Sequence, residues 1–496
     1  MPNPGYVEFG AGGANYVYDS HTNGVIKIDP FVRRILDDYF RLSRKELETA
    51  HAAIPKAVLH RSIQFIEDAI HDLGLFQPSS AIKFSRTMSR DDFDAEMENG
   101  LPALTLNVTE RCNLFCSYCP LTDSRQSQPS KSLPAMTWEI ARNSLDCFLA
   151  LTSAQRVVRI VFFGGEPLLD WELIQKCLRY LRSSYASRKV QVQLVSNLTL
   201  LKKSMLETLI DFDAQLQVSF DGPQPIHDGA RSFGDGRGTY QYVCARLQEI
   251  RALSPDYFRN NILLHCTFNR QNDILEVFRH FSDGIFAELP VRLRYVTGSF
   301  LSPEQATRHE ERIEQLIEMY LAALRETSCF RYDLFWKILR DPLMFGDRTL
   351  GPAPAQSWPN GACVPGANRL FVTSSGTFYP CENCCAEGCD IGNHETGFEF
   401  SKAQSLFRTY ADFCQETCQG CWAHRLCTLC YTSMISGARV NPSVKAEKCD
   451  RQRERILKAL RRFVYIWENE PPECHDDPSS LHFQLRAKPG AKEFGL

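Results

Sequence analysis

Between residues 101 and 298 the chain repeats one pattern six times: a short, apolar, strand-like run followed by a stretch of helical spacing. The runs are Leu104–Val108, Val157–Phe163, Val190–Val195, Leu216–Phe220, Ile262–Phe268 and Val291–Val296. Helical patterns fit between them, for example Trp171–Leu181 and Tyr240–Leu253. Alternating strands and helices are the signature of the α/β class, so six such units predict a parallel sheet, curved or open. Ligands in such folds sit at the carboxyl ends of the strands. Any chemistry-bearing motif just after one of these runs therefore lies where a site is expected.

The flanks differ in kind. In residues 1–95, Tyr16–Tyr18 and Val25–Ile28 are apolar runs around an Asn23-Gly24 turn, which reads as a hairpin. A helical pattern through Phe31, Ile35, Leu36 and Phe40 follows. Ser43 with Glu46 is a capping box, and a further helix is expected over His60–Leu73, ending near Gly74. Residues 301–355 read as a helical linker, because Glu310–Leu324 is strongly amphipathic. Residues 356–455 are rich in Cys, Gly and turn signals, with only short strands, a composition that needs metal sites to staple it. The segment 456–496 is expected to be a helix and a polar tail.

A chain of 496 residues with 44% apolar and 23% charged residues is globular and holds more than one domain. Net charge is −3, which argues against a nucleic-acid partner held by bulk electrostatics. The opening MPNPGYVEFG has neither a basic nor an apolar region of a secretory signal, and no run approaches the roughly 18 apolar residues of a membrane span. The expectation is a cytoplasmic protein with no membrane partner. Its twenty cysteines then read as metal ligands or redox groups rather than disulfides. Three lie at 112–119 and eleven between Cys363 and Cys449. The scattered Cys147, Cys177, Cys244, Cys266, Cys329 and Cys474 read as buried structural thiols.

The first apolar run leads into Cys112-x3-Cys116-x2-Cys119. Three thiolates can hold three irons of a [4Fe–4S] cube and leave the fourth free for a small molecule, whereas a zinc site would want a fourth Cys or His nearby. This loop resembles the radical S-adenosylmethionine (SAM) superfamily, and further segments agree in order. Gly164-Gly165-Glu166-Pro167 after the second run resembles the segment that contacts the SAM amino group. Ser196-Asn197 after the third resembles its Thr-Asn-Gly segment, departing at Leu198. Ser219-Phe-Asp221-Gly222-Pro223, with Arg231 beyond, resembles the fourth-strand segment. The resemblance implies a partial (β/α)6 TIM-like barrel over 96–300, a catalytic cluster on Cys112, Cys116 and Cys119, and SAM contacts from Tyr118, Gly164, Gly165, Glu166, Pro167, Asn197, Ser219 and Arg231.

The second cluster, Cys363, Gly376-x4-Cys381, Cys418-x2-Cys421-x5-Cys427-x2-Cys430 and Cys449, resembles the SPASM domain of such enzymes, although the Cys427–Cys430 gap is one residue short. That resemblance implies two auxiliary [4Fe–4S] clusters. Cys418, Cys421, Cys427 and Cys449 would hold one; Cys363, Cys381 and Cys430 the other. Its fourth ligand stays open among Cys384, Cys385, Cys389 and a substrate thiolate, and Cys414 reads as coincidental. SPASM proteins mostly modify peptides. The N-terminal unit resembles the winged-helix-like precursor-recognition domain of ribosomal-peptide maturases of the ranthipeptide or sactipeptide type, which implies a precursor peptide bound there by its leader and a crosslink, first of all a Cys thioether. A reducing partner such as ferredoxin or flavodoxin is implied as well. The alternatives are an anaerobic sulfatase-maturating, formylglycine-forming enzyme and a non-enzymatic iron–sulfur or zinc protein. Asp390, Glu382 and Glu387 lie near Cys381, with nothing to single out one as a base.

Overall fold

A computed structural model describes residues 5–77, 83–119, 133–296, 301–326, 339, 350–354, 356–437 and 439–471. Its strands are β1 (Tyr6–Ala11), β2 (Ala14–Asp19), β3 (Gly24–Ile28), β4 (Lys83–Phe84), β5 (Ala103–Thr109), β6 (Val157–Gly164), β7 (Lys189–Ser196), β8 (Gln215–Ser219), β9 (Ile262–Phe268), β10 (Val291–Tyr295), β11 (Gln356–Ser357), β12 (Arg369–Val372) and β13 (Phe378–Tyr379). The six expected runs are β5 to β10, each within one residue at either end. They pair in chain order, all parallel, as a mixed α/β fold requires. Val158, Ile160, Phe162, Leu194, Leu216, Val218 and Leu264 are fully buried at alternate positions along them, so one face of the sheet packs into the main core.

The sheet has eight strands, in the order β10-β9-β8-β7-β6-β5-β12-β13. The last two come from the cysteine-rich region 356–455, where only short strands were expected. β12 runs parallel to β5, with Leu370 opposite Leu104, and β13 returns antiparallel. The strand leading to Cys112 is thus hydrogen-bonded to the hairpin that delivers Cys381. A second departure is the helix Phe400–Thr417, which the many turn signals around it hid. Its Leu406, Tyr410 and Phe413 pack with Cys384, Cys389, Cys414, Tyr431 and Met434 into a separate small core. The C-terminal helix runs Ser443–Asn469, so it includes Cys449 and starts well before residue 456. The amphipathic pattern of 310–324 lies in helix Pro303–Glu326.

The N-terminal unit is a three-stranded antiparallel sheet followed by three helices, Pro30–Tyr39, Arg44–Ala50 and Lys56–Leu73. β1 was not expected. It joins β2 through Gly12 and Gly13, both at positive φ (56° and 80°), a two-residue turn whose backbone suits a hairpin. Ser43 and Glu46 form the capping box as read. Strand alternation splits the sheet: Tyr6, Val17 and Ile28 face its own helices, whereas Phe9, Tyr16, Tyr18 and Val25 join the main core. Tyr18 meets Trp422 edge-on, Lys27 pairs with Glu468 at 2.7 Å, and Arg425 donates to the His21 carbonyl at 2.8 Å. Among the described residues no helix is long and apolar enough to cross a membrane.

Candidate functional site

The loop after β5 is fixed by backbone bonds rather than by its cysteines. Phe115 N–H donates to the Ser232 carbonyl at 2.9 Å and Ser117 N–H to Ala230 at 2.9 Å, so the segment after β8 clamps the loop. Cys116 is buried, while Cys112 and Cys119 are half-buried. The Leu114 N–H points at Cys112 Sγ (3.4 Å), and the Arg231 guanidinium lies 3.8 Å from Cys116 Sγ. Amide and guanidinium donors aimed at sulfur stabilise thiolates. Two of the three thiols lie in such a field, and three thiolates on one loop fit an iron–sulfur cluster with an open iron.

Gly164 and Gly165 press on this loop. Gly165 N–H donates to Thr109 O at 2.8 Å, and Glu166 N–H to Arg111 O at 2.8 Å. A Cβ on Gly165 would overlap the Arg111 carbonyl, and one on Gly164 would overlap that of Thr109. The small residues are needed for the approach of one strand end to the next. Gly165→Ala should therefore displace the loop and lower iron per chain after anaerobic reconstitution. Gly229→Ala, where a Cβ meets nothing within 4 Å, should leave it unchanged. Equal iron in both variants would refute this packing role.

Glu166 is fully buried. Its Oε1 accepts from Leu168 N–H (3.0 Å) and Ser196 Oγ (2.9 Å), and Oε2 from Asn197 N–H (2.8 Å). Burial pushes the carboxyl up to about 7, although these three hydrogen bonds pull it down. The side chain thus ties the turn after β6 to the end of β7. Pro167 opens the short 3-10 turn that follows. Asn197 continues the polar chain: its Nδ2 donates to Asn113 Oδ1 at 3.1 Å, and Asn113 donates to Thr199 Oγ1 at 2.8 Å. Asn113, which sequence reasoning passed over, is inside the cysteine loop. Ser219 ends β8 opposite His265, half-buried.

Arg231 and Tyr118 meet at a residue quoted in the sequence but given no role, Asp221. Its Oδ2 accepts from Tyr118 OH (2.7 Å) and Arg231 Nε (2.8 Å), and its Oδ1 from Thr267 N–H (2.8 Å). Asp221 is 1% exposed and Arg231 8%. The guanidinium lies over the Tyr118 ring, 5.4 Å from its centroid. In this arrangement Tyr118 anchors the cysteine loop, and Arg231 carries its charge from Asp221 to Cys116.

The other cysteines gather as two groups. Cys363, Cys381 and Cys430 lie within electrostatic reach of one another, and Cys384 within reach of Cys381 and Cys430. Cys427 and Cys449 each feel Cys418 and Cys421. Burial pushes Cys363 up to about 12, and Cys381 and Cys427 up to about 11. Thiols become thiolates when a positively charged metal centre binds, and Cys418, drawn down to about 6 first by its contact with Cys414, ionises most readily of these, so both donor sets fit cluster ligation. Among the described residues no three His, Cys, Asp or Glu side chains converge as around one bound ion. The candidate bases are all ion-paired: Glu382 with Arg369 (2.8 Å), Glu387 with Arg439 (2.8 Å) and Asp390 with Lys402 (2.9 Å). Of the scattered cysteines, Cys177 and Cys266 are buried, Cys147 and Cys244 half-buried, and Cys329 and Cys474 lie outside the described residues.

Comparison with known proteins agrees with this geometry. The model of the radical SAM superfamily matches residues 106–280, from β5 to the helix after β9. An uncharacterised protein of Methanocaldococcus jannaschii, MJ0907, is 32% identical over 141 residues, 28% of this chain and 46% of that protein, so the match spans less than half of that relative. A cysteine-type anaerobic sulfatase-maturating enzyme of Clostridium perfringens is 24% identical over 341 residues, 66% of this chain and 88% of that protein. The radical SAM cyclopropyl synthase TigE of Paramaledivibacter caminithermalis is 26% identical over 192 residues, 37% of this chain and 40% of that one. Among solved structures, native anSMEcpe with bound AdoMet and Cp18Cys peptide covers 74% of this chain and 99% of its own, at 20% identity and a TM-score of 0.54, a likeness of fold. With a three-cysteine loop at the end of its first barrel strand and the Gly-Gly-Glu-Pro turn packed against it, residues 106–280 of this chain are a radical SAM domain.

Proposed function

We propose that this radical SAM enzyme modifies a ribosomally made precursor peptide, joining a cysteine sulfur to a carbon of another residue. Cys112, Cys116 and Cys119 would hold the [4Fe–4S] cluster, with SAM contacted from the ends of β6, β7 and β8 by Gly164, Gly165, Glu166, Asn197, Ser219 and Arg231. When bound, cluster and SAM supply the radical chemistry. The chain's part is to hold the loop, keep anionic sulfur beside Arg231, and shield the strand ends from water. Cys418, Cys421, Cys427 and Cys449 would hold one auxiliary cluster of a SPASM domain; Cys363, Cys381 and Cys430 would hold another.

The observation that carries the peptide reading is the N-terminal unit. β3 is one of the two edge strands of its sheet, and among the described residues no strand pairs with its other side. An extended leader can add there as a fourth strand, with main-chain bonds giving affinity. The reducing partner would be a ferredoxin or flavodoxin, and the compartment the cytoplasm. A second reading, formylglycine formation, is favoured by the length of the match to the Clostridium perfringens enzyme. Co-expression with a Cys-bearing precursor peptide and weighing of the product separates the two. Each thioether removes two hydrogens, whereas formylglycine replaces the thiol and one hydrogen of the thiol carbon with a carbonyl oxygen and gives a different mass. An unchanged peptide mass, with SAM cleaved, would overturn both.

A further inference from the structure

Lys445 is 1% exposed, in the first turn of helix Ser443–Asn469. Its Nζ lies 3.3 Å from Cys414 Sγ and 3.7 Å from Cys418 Sγ. The ring faces of Tyr410 and Phe413 close over it, each centroid 4.6 Å from Nζ. Among the described residues no carboxylate pairs with it. A buried ammonium without a counter-ion is strongly disfavoured, and rings alone do not neutralise it. The groups at hand that can carry negative charge are sulfurs. One helical turn on is Cys449, whose Sγ lies 3.4 Å from the Lys445 carbonyl oxygen. The ammonium and the thiol are thus placed on the same face of one helix.

We infer that Lys445 is a fixed cation for the iron–sulfur cluster held by Cys418, Cys421, Cys427 and Cys449, donating to the Cys418 sulfur and holding that cluster's reduction potential up. The inference rests on the ligand assignment proposed above. Net charge, solvent exposure and hydrogen bonds to ligand sulfurs set such potentials. Adding an electron to a centre already ringed by thiolates is opposed by its negative charge, and an ammonium a few ångströms away in a low-dielectric pocket offsets that opposition. The geometry therefore makes this cluster a readier electron acceptor than it would be without Lys445, fitted to take the electron left when a substrate radical closes to product. Lys445 touches no substrate in this account; it acts through Cys418 as a positioning residue. Arg453, 4.0 Å from Cys421 Sγ, is the next cation out, but it also pairs with Asp450.

The test is a redox titration followed by electron paramagnetic resonance. It uses the full chain with Cys112, Cys116 and Cys119 changed to Ala, so that only auxiliary signals remain. Adding Lys445→Gln should move one signal to a lower potential and leave the other in place. The expected change is at least tenfold in the ratio of reduced to oxidised cluster at a fixed poise, which is 59 mV for a one-electron couple. Lys445→Arg should keep the parent value, since it keeps the charge. Loss of iron or of fold alone would not move one potential selectively. Two loaded clusters with both potentials unchanged in Lys445→Gln would overturn the role of Lys445 and leave the ligand assignment standing. Absence of any auxiliary signal in the parent would overturn both. Should Lys445→Gln fail to load, the Arg variant decides: a parental potential supports the charge role, and a tenfold drop in the ratio of reduced to oxidised cluster refutes it.

Discussion

Cys112→Ala is expected to reduce 5′-deoxyadenosine formation to the background of protein-free controls, while iron falls by about four atoms per chain, one cube, and the auxiliary signals persist. The reason is geometric. Cys112 opens the loop at the end of β5 and receives the Leu114 N–H at 3.4 Å, whereas Cys116 is fixed from the other side by Arg231. Removing one of three ligands from a cube that already lacks a fourth leaves too few thiolates to hold it. The cysteines from 363 onward belong to other loops and a separate small core, so their loading should not follow. SAM cleavage retained at the parental rate in well-loaded Cys112→Ala would refute the triad assignment. Loss of all iron would refute the independence of the two regions.

The barrel was legible because apolar residues recur along every strand, alternating with Gln, His or Arg in β7 to β10, and because the alternation of strands with helices demands the parallel order. β5 to β10 emerged almost residue for residue. β12 and β13 were not legible as part of that sheet: they are four and two residues long, β13 pairs only with β12, and β12 pairs with β5 across about 266 residues of chain (Arg369 with Ala103). Local pattern carries no such information. β1 was missed because Gly10, Gly12 and Gly13 broke its apolar signal, although a Gly-Gly turn was itself a hairpin cue. At the site, the cysteine spacing and the Gly-Gly-Glu-Pro segment were read from the sequence as functional positions. Their partners were not. Asp221 stood inside a quoted motif, yet only the fold shows it joining Tyr118, Arg231 and Thr267. Lys445 had no signal at all, being one lysine among many until the helix turns it inward.

Asp221 is the position at which a single atom change should do most to the barrel itself. Asp221→Asn keeps the shape and removes the charge that balances a nearly buried guanidinium. It also replaces an acceptor oxygen with a donor amide, so one of Tyr118 OH, Arg231 Nε and Thr267 N–H loses its acceptor or faces another donor. Breaking a buried ion pair from one side costs about 3–5 kcal/mol. For a domain of this size that is a fall of roughly 6–20 °C in the melting of the barrel. Asp256→Ala, on a side chain 95% exposed, should change stability by no more than about 0.5 kcal/mol. Measured by calorimetry on the reconstituted chain, equal melting of both variants would refute the idea that Asp221 holds the site together. The consequence for chemistry follows from the same bonds. Tyr118 sits between Cys116 and Cys119, and Arg231 reaches Cys116, so releasing both should loosen the loop and lower cluster occupancy at the triad even below the melting temperature. A variant that melts early but holds its triad iron would separate the stability of the barrel from the anchoring of its cysteine loop.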